Sequence, residues 1–190
     1  LPPGPGEDIW DPTLSLSVGI DVPGSDGNPL AETTFTSGGD KEGLFALEKA
    51  DIFNLLVIPP YTSEGDVDDG LVGDAAAYCE TRRAMLLVDP MSDWDAVEDA
   101  VAGVAALTTS SKNAALFFPH IRRPNPLYPD QVENFAPSGA VAGFFARTDT
   151  NRGVWKAPAG QDATVVGAPA FSVPLTDGEI GQLNPLGVNC

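Results

Sequence analysis

Residues 75–90, AAAYCETRRAMLLVDP, join an Ala-rich stretch of helical composition to an unbroken apolar run, Ala84 to Val88, closed by Asp89 and Pro90. Alanine and straight-chain residues favour helix, whereas a short apolar run ended by proline reads as a strand buried on both faces. A helix over about Leu71 to Arg83 that feeds directly into such a strand is the recurring joint of an α/β fold.

Outward from this joint the same alternation continues. IFNLLVIPP (52–60) reads as a buried strand stopped by Pro59 and Pro60, and NAALFFPH (113–120) as a third strand. Between them Ser92 is expected to cap a helix carrying Trp94, Val97, Val101 and Val104 on one stripe. A Pro-rich loop is expected over 122–130, then a helix around SGAVAGFFA (138–146), whose Gly139, Ala142 and Gly143 would admit another backbone. ATVVGAP (163–169) reads as a fourth strand, and Thr176 caps a short helix over DGEIGQL (177–183). The order β-α-β-α-β-α-β predicts a mostly parallel central sheet flanked by helices. Ahead of this domain, assigned to 41–190, TLSLSVGIDV (13–22) alternates at period two. With the turn residues of PGSDGNP (23–29) and a return over AETTFTS (31–37), it predicts a β-hairpin appendage within 1–40.

The chain has 190 residues with 43% hydrophobic content, enough to build a core. Ten basic residues against twenty-seven acidic ones give a formal charge of −17. That balance argues against nucleic acid, whose affinity rests on Lys and Arg displacing counterions. No stretch approaches the ~20 apolar residues that cross a bilayer, and LPPGPGEDIW lacks the basic and apolar regions of a signal peptide. The chain therefore reads as soluble, with no membrane partner. Cys79 and Cys190 are too few for a disulfide framework and read as reduced structural thiols.

Ligands of open parallel sheets bind beyond the carboxyl ends of the strands, here Pro59–Tyr61, Asp89 and PHIRRP (119–124). Asp89 and His120 are the candidates for a small α/β hydrolase or transferase. No GxSxG elbow supplies a nucleophile, since APSGAV lacks the first glycine, and a single histidine excludes a two-histidine metal site. GPGEDI (4–9) and SGGDKEG (37–43) lack phosphate-loop spacing. Arg122 and Arg123 read as an anion clamp or as a solvated pair. Asp66, Asp68 and Asp69 loosely suggest a calcium loop, but the twelfth position is Ala77 where a glutamate is required. No catalytic residue, cofactor or metal is expected.

Four stretches carry a resemblance: ALEKADIFNLLVIPP (46–60), AAAYCETRRAMLLVDP (75–90), APSGAVAGFFARTDTNRGVWKAPAG (136–160) and LTDGEIGQLNPLGVN (175–189). In order and spacing they resemble the tail sheath proteins of contractile phage tails and related injection systems, with coverage from about Ser37 to Cys190. The longest motif comprises Arg147, Asp149, Arg152, Gly153, Val154, Trp155, Lys156, Ala157, Pro158, Ala159 and Gly160. Leu183, Asn184, Pro185, Gly187 and Asn189 carry the last. The resemblance implies a structural subunit that polymerises as stacked hexameric rings around an inner tube protein. It would meet baseplate and terminator proteins, assemble in the bacterial cytoplasm, and contract to drive the tube through an envelope without a cofactor.

In that family a further domain and arms at both ends follow or precede the matched region, and such arms add strands to neighbouring sheets. A chain ending at Cys190 is therefore expected to stay monomeric or weakly associated at micromolar concentration. Trp155 is expected to act as a loop anchor that buries up to ~200 Å², packed internally in the favoured reading and against a neighbouring subunit in the other. A passive binding module of the same particle, using residues 13–36, is the alternative from the binding class.

Overall fold

The computed structural model describes residues 27–37, 39, 41–61, 65–160 and 163–190. The expected strand over 13–22 lies outside them. Strands β1 (Leu55–Val57), β2 (Met85–Val88), β3 (Ala114–Phe117) and β7 (Val188–Asn189) form a parallel sheet in the order β1-β2-β3-β7. The central Leu86 lies opposite Leu56 on one side and Ala114 on the other.

The joint at 75–90 forms as its sequence predicts. Helix α2 (Asp69–Arg82) closes on Arg83 in the left-handed conformation, φ 57°, and the Ala84 N–H bonds back to the Cys79 carbonyl at 2.9 Å before β2 begins. Alternate sheet residues then face opposite layers. Leu86, Val88, Leu116 and Val188 enter one core with Ala75, Ala76 and Cys79 of α2. Val97 and Ala100 of α3 (Val97–Ala106) and Leu183 of α5 (Asp177–Leu183) complete it. Each buried Val or Leu among them contributes about 1.5–3 kcal/mol by leaving water, and each Ala less. On the other face, α4 (Ser138–Arg152) passes over β1 and β2, and Phe145 meets Phe117 edge-on at 6.5 Å. Helices on both faces of a parallel sheet make the body α/β.

Several expectations are corrected. The fourth parallel strand is β7, while residues 163–169 run irregularly through a turn at Gly167, φ +82°. The chain instead reverses at Gly187, φ +84°. Val188 then pairs with Leu116, and Asn189 Nδ2 donates to the Leu116 carbonyl at 3.0 Å.

The region expected as a loop over 122–130 belongs in part to a second sheet. Here β4 (Ile121–Pro124) runs antiparallel to both β5 (Val132–Phe135) and β6 (Ala170–Phe171). Residues 31–37 hold a helix, α1 (Glu32–Thr36), in place of the return strand. Its Phe35 ring lies 5.2 Å from that of Tyr61, so α1 packs on the body.

Ser92 does not cap α3. Its N–H and hydroxyl both donate to Asp66, at 2.8 and 2.9 Å, and the Asp99 carboxylate takes the N–H groups of Ala96 and Asp95 instead. Of the predicted α3 stripe, Trp94 and Val97 are buried, whereas Val101 is exposed.

Candidate functional site

The carboxyl ends of the strands, where an α/β enzyme would place its chemistry, bring Asp89, Ser138 and His120 together. Asp89 follows β2 and receives the start of α4. Its Oδ1 accepts the Ser138 N–H at 2.7 Å and its Oδ2 accepts the Ser138 hydroxyl at 2.6 Å. An anion at a helix N-terminus satisfies donors that the helix leaves unpaired. Burial pushes the Asp89 carboxyl above its ordinary range, against the pull of the Ser138 bonds and of His120.

His120 is itself buried, which lowers its pKa despite the fields of Asp89, Asp66 and Asp95. Among the described residues no hydrogen bond joins His120 to Asp89. The adjoining cavity, lined by Asp66, Val88 and Asp89, measures about 20 Å³, roughly the room one water needs. Asp89 thus acts as the cap of α4. Ser138, buried against it, is the serine of APSGAV, which sequence reading set aside as a nucleophile for want of the first glycine and did not connect with Asp89.

The other candidate residues separate. Asp66 holds Ser92, Asp68 accepts the Tyr61 hydroxyl, and Asp69 accepts the Thr108 N–H at 3.2 Å. The three carboxylates of the suggested calcium loop therefore serve three different partners. Among the described residues no group of His, Cys, Asp and Glu is placed to hold a metal ion. Arg123 lies over the Phe135 ring at 5.9 Å and Arg122 is exposed on β4. Cys79 is a buried free thiol, pushed up to about 11 by burial and so poorly nucleophilic, and Cys190 is an exposed one.

The longest motif forms a corner at the far end of α4. The helix stops at Gly153, φ 92° and ψ 156°, a conformation open essentially to glycine alone. The Lys156 N–H then closes a turn on the Gly153 carbonyl at 3.0 Å. A Cβ on Gly153 would stand 2.3 Å from the Trp155 ring, so the indole lies directly on the glycine backbone.

Trp155 is nevertheless 85% exposed and Val154 79%. The expected internal anchor is therefore corrected: the tight turn folds the ring back over its own loop and keeps it off the core. Beside it, Arg147, Arg152, Lys156, Ala157 and Ala159 help line a cavity of about 220 Å³. Arg147 donates to the Thr164 carbonyl at 2.6 Å, and Lys156 Nζ to the Ala157 carbonyl at 2.8 Å. Asp149 offers its carbonyl to the Gly153 N–H, Pro158 is half-buried, and Gly160 turns at φ +78°.

The last motif is structural. Leu183 is fully buried, Asn184 and Pro185 form a 3-10 turn, and Gly187 and Asn189 place β7. Gly139 and Gly143 have nothing within contact range of an added Cβ. Among the described residues no helix is long and apolar enough to cross a membrane. No family model and no curated protein matches the chain.

Proposed function

We propose that the chain is a subunit of a contractile tail sheath, which assembles with copies of itself as stacked hexameric rings around an inner tube and works by changing lattice. Its partners in this reading are other sheath subunits, the inner tube protein, and the baseplate and terminator proteins, in a virion tail or a related injection particle. The resemblance rests on four sequence stretches.

One observation on the fold carries the reading further: the most distinctive of those stretches presents a tryptophan, Trp155, to solvent on a tight turn. A large exposed aromatic beside a basic cup suits an assembly surface, where tryptophan and arginine dominate contact energy. A helical lattice needs unlike faces that meet between copies, and a rigid α/β body supplies them. In the alternative reading, a small α/β enzyme using Asp89 and His120, the Asp89 carboxylate would have to leave the two bonds it takes from Ser138.

Electron microscopy of the protein expressed from its complete reading frame provides the test. Tubes or rings with six-fold symmetry are expected. Dispersed single particles at every protein concentration would contradict the proposal.

A further inference from the structure

Charge is segregated along the strand direction of this subunit. Segments leading into the parallel strands lie at one end of the sheet. They carry Lys49 before β1, Arg83 before β2 and Lys112 before β3, all exposed. α4 starts at the opposite end, where Ser138 bonds Asp89 just past β2, and runs back across β1 and β2 for about 22 Å at 1.5 Å per residue. Its far end brings Arg147, Arg152 and Lys156 to the same side. With Arg82, seven of the chain's ten basic residues gather there. Their acidic neighbours on that side are Glu48, Asp51, Glu80 and Asp149. The segments that follow β1 and β2 are acidic: Asp66, Asp68 and Asp69 after the first, and Asp93, Asp95 and Glu98 after the second. Asp93, Asp95 and Glu98 are exposed.

Three apolar side chains stand bare on the basic side: Ile52 just before β1 at 77% exposure, Val154 and Trp155. Two patches of opposite sign at opposite ends cannot meet within one copy. Between copies they fit head to tail, in a contact that repeats without closing on itself.

We propose that the basic corner bearing Trp155 docks on the acidic loops around Asp93 and Asp95 of the next copy of this chain. This deepens the sheath reading and rests on it. The occupant follows from charge complementarity. Each copy carries −17, so two copies repel at long range, and a contact that sets the side holding seven basic residues against the acidic loops of the other side offsets that repulsion; exposed Arg122 and Arg123, which follow β3, are basic residues outside the first patch. The positive charge of this corner that faces solvent comes from Arg83 and Lys112, both exposed, and from half-exposed Lys156, and Trp155 supplies the apolar anchor. A single such contact is weak, with Kd in about the 0.1–1 mM range, and gains strength through repetition in a lattice.

Two charge-reversed chains test the contact. One carries Arg83→Glu, Lys112→Glu and Lys156→Glu, and the other Asp93→Lys and Asp95→Lys. Circular dichroism and thermal melting are expected to match the parent, because the altered side chains are exposed or half-exposed. Sedimentation at protein concentrations up to about 1 mM is expected to show self-association of the parent, weakened about tenfold or more in each reversed chain alone. Mixing the two reversed chains is expected to restore a heterodimer. Reversal is the deciding variable because salt also screens the net charge.

Parent-like association of both reversed chains overturns the contact, as does a mixture that stays monomeric. If the complete protein forms sheaths and both reversed versions form them equally well, the contact is refuted while the sheath reading stands. If the chains pair by their charged ends but the complete protein never forms tubes, the sheath reading fails and the contact stands.

Discussion

Trp94 and Gly103 make the sharpest stability prediction. Trp94 is buried, 5% exposed, and its indole packs against α3 where Gly103 leaves room, with Phe118 tilted against it at 6.3 Å. A Cβ at position 103 would stand 2.0 Å from Trp94 Cζ2 and 2.3 Å from Cε2, against ordinary contact beginning at 3.4 Å. Two effects compete in Gly103→Ala. Helix propensity favours alanine by about 1 kcal/mol. Forcing a packed indole out of place costs about 1–3 kcal/mol, and more if the ring leaves its site, since full loss of a buried Trp costs about 3–5 kcal/mol.

The second effect wins because the ring is confined on its other side by Phe118 and the core around Leu116. A net loss of about 2 kcal/mol is expected, which for a chain of this size lowers Tm by about 4–8 °C. Differential scanning calorimetry or a circular dichroism melt reads it directly. An unchanged or raised Tm would refute the packing assigned to Trp94 and with it the seating of α3 on the sheet.

Three further outcomes are expected. Gly153→Ala forces a side chain into φ 92°, ψ 156° and is expected to cost about 1–3 kcal/mol; its indole neighbour is free to swing outward, so a melt equal to the parent would show that the turn has another shape. Asn189→Ala removes the side-chain bond from β7 to the Leu116 carbonyl and is expected to cost about 1 kcal/mol, read by denaturant titration; no change would mean that β7 is held by its backbone alone. His120 has a folded pKa below its ordinary 6.5, so the unfolded chain binds more protons as pH falls through that window, and stability drops with it. Asp89, raised by burial, acts in the opposite sense at acid pH. His120→Gln is therefore expected to soften the loss of Tm on acidification, and a steeper loss in the variant would overturn the burial assigned to His120.

The parts of the fold legible in the sequence are those where burial and period agree. Leu86–Val88 and Leu116 lie in apolar runs bracketed by Pro or Asp, and Ala75, Ala76 and Cys79 form a continuous helical face against them. What was illegible fell to local hydrogen bonding and to long-range pairing. Thr164, Val165 and Val166 have strand propensity, yet Arg147 takes the Thr164 carbonyl and Gly167 turns the chain. In α1 the Thr34 hydroxyl takes the Ala31 N–H at 3.1 Å, a local bond that favours a helical start over β-branched preference.

The Ile121–Pro124 strand hid behind two arginines and a proline because it is almost wholly exposed. β7 is two residues long and its partner lies about seventy residues away, beyond any periodicity. At the candidate sites, Asp89 stood at a strand end as the pattern required, but its union with Ser138 spans 49 residues and has no sequence signature. Trp155 was misplaced for a simpler reason: hydrophobicity marks a residue for burial somewhere, without saying whether the burying surface belongs to the same copy.

Trp155→Ala separates these possibilities most directly. With 85% of the residue exposed, its removal uncovers only about 40 Å² and costs about 1 kcal/mol at most. Melting of the isolated chain is therefore expected to stay within about 4 °C of the parent. The complete protein carrying the same substitution is expected to lose the rings or tubes that the parent forms. A large drop in the melting temperature of the isolated chain, or parent-like assembly of the complete variant, would contradict the account.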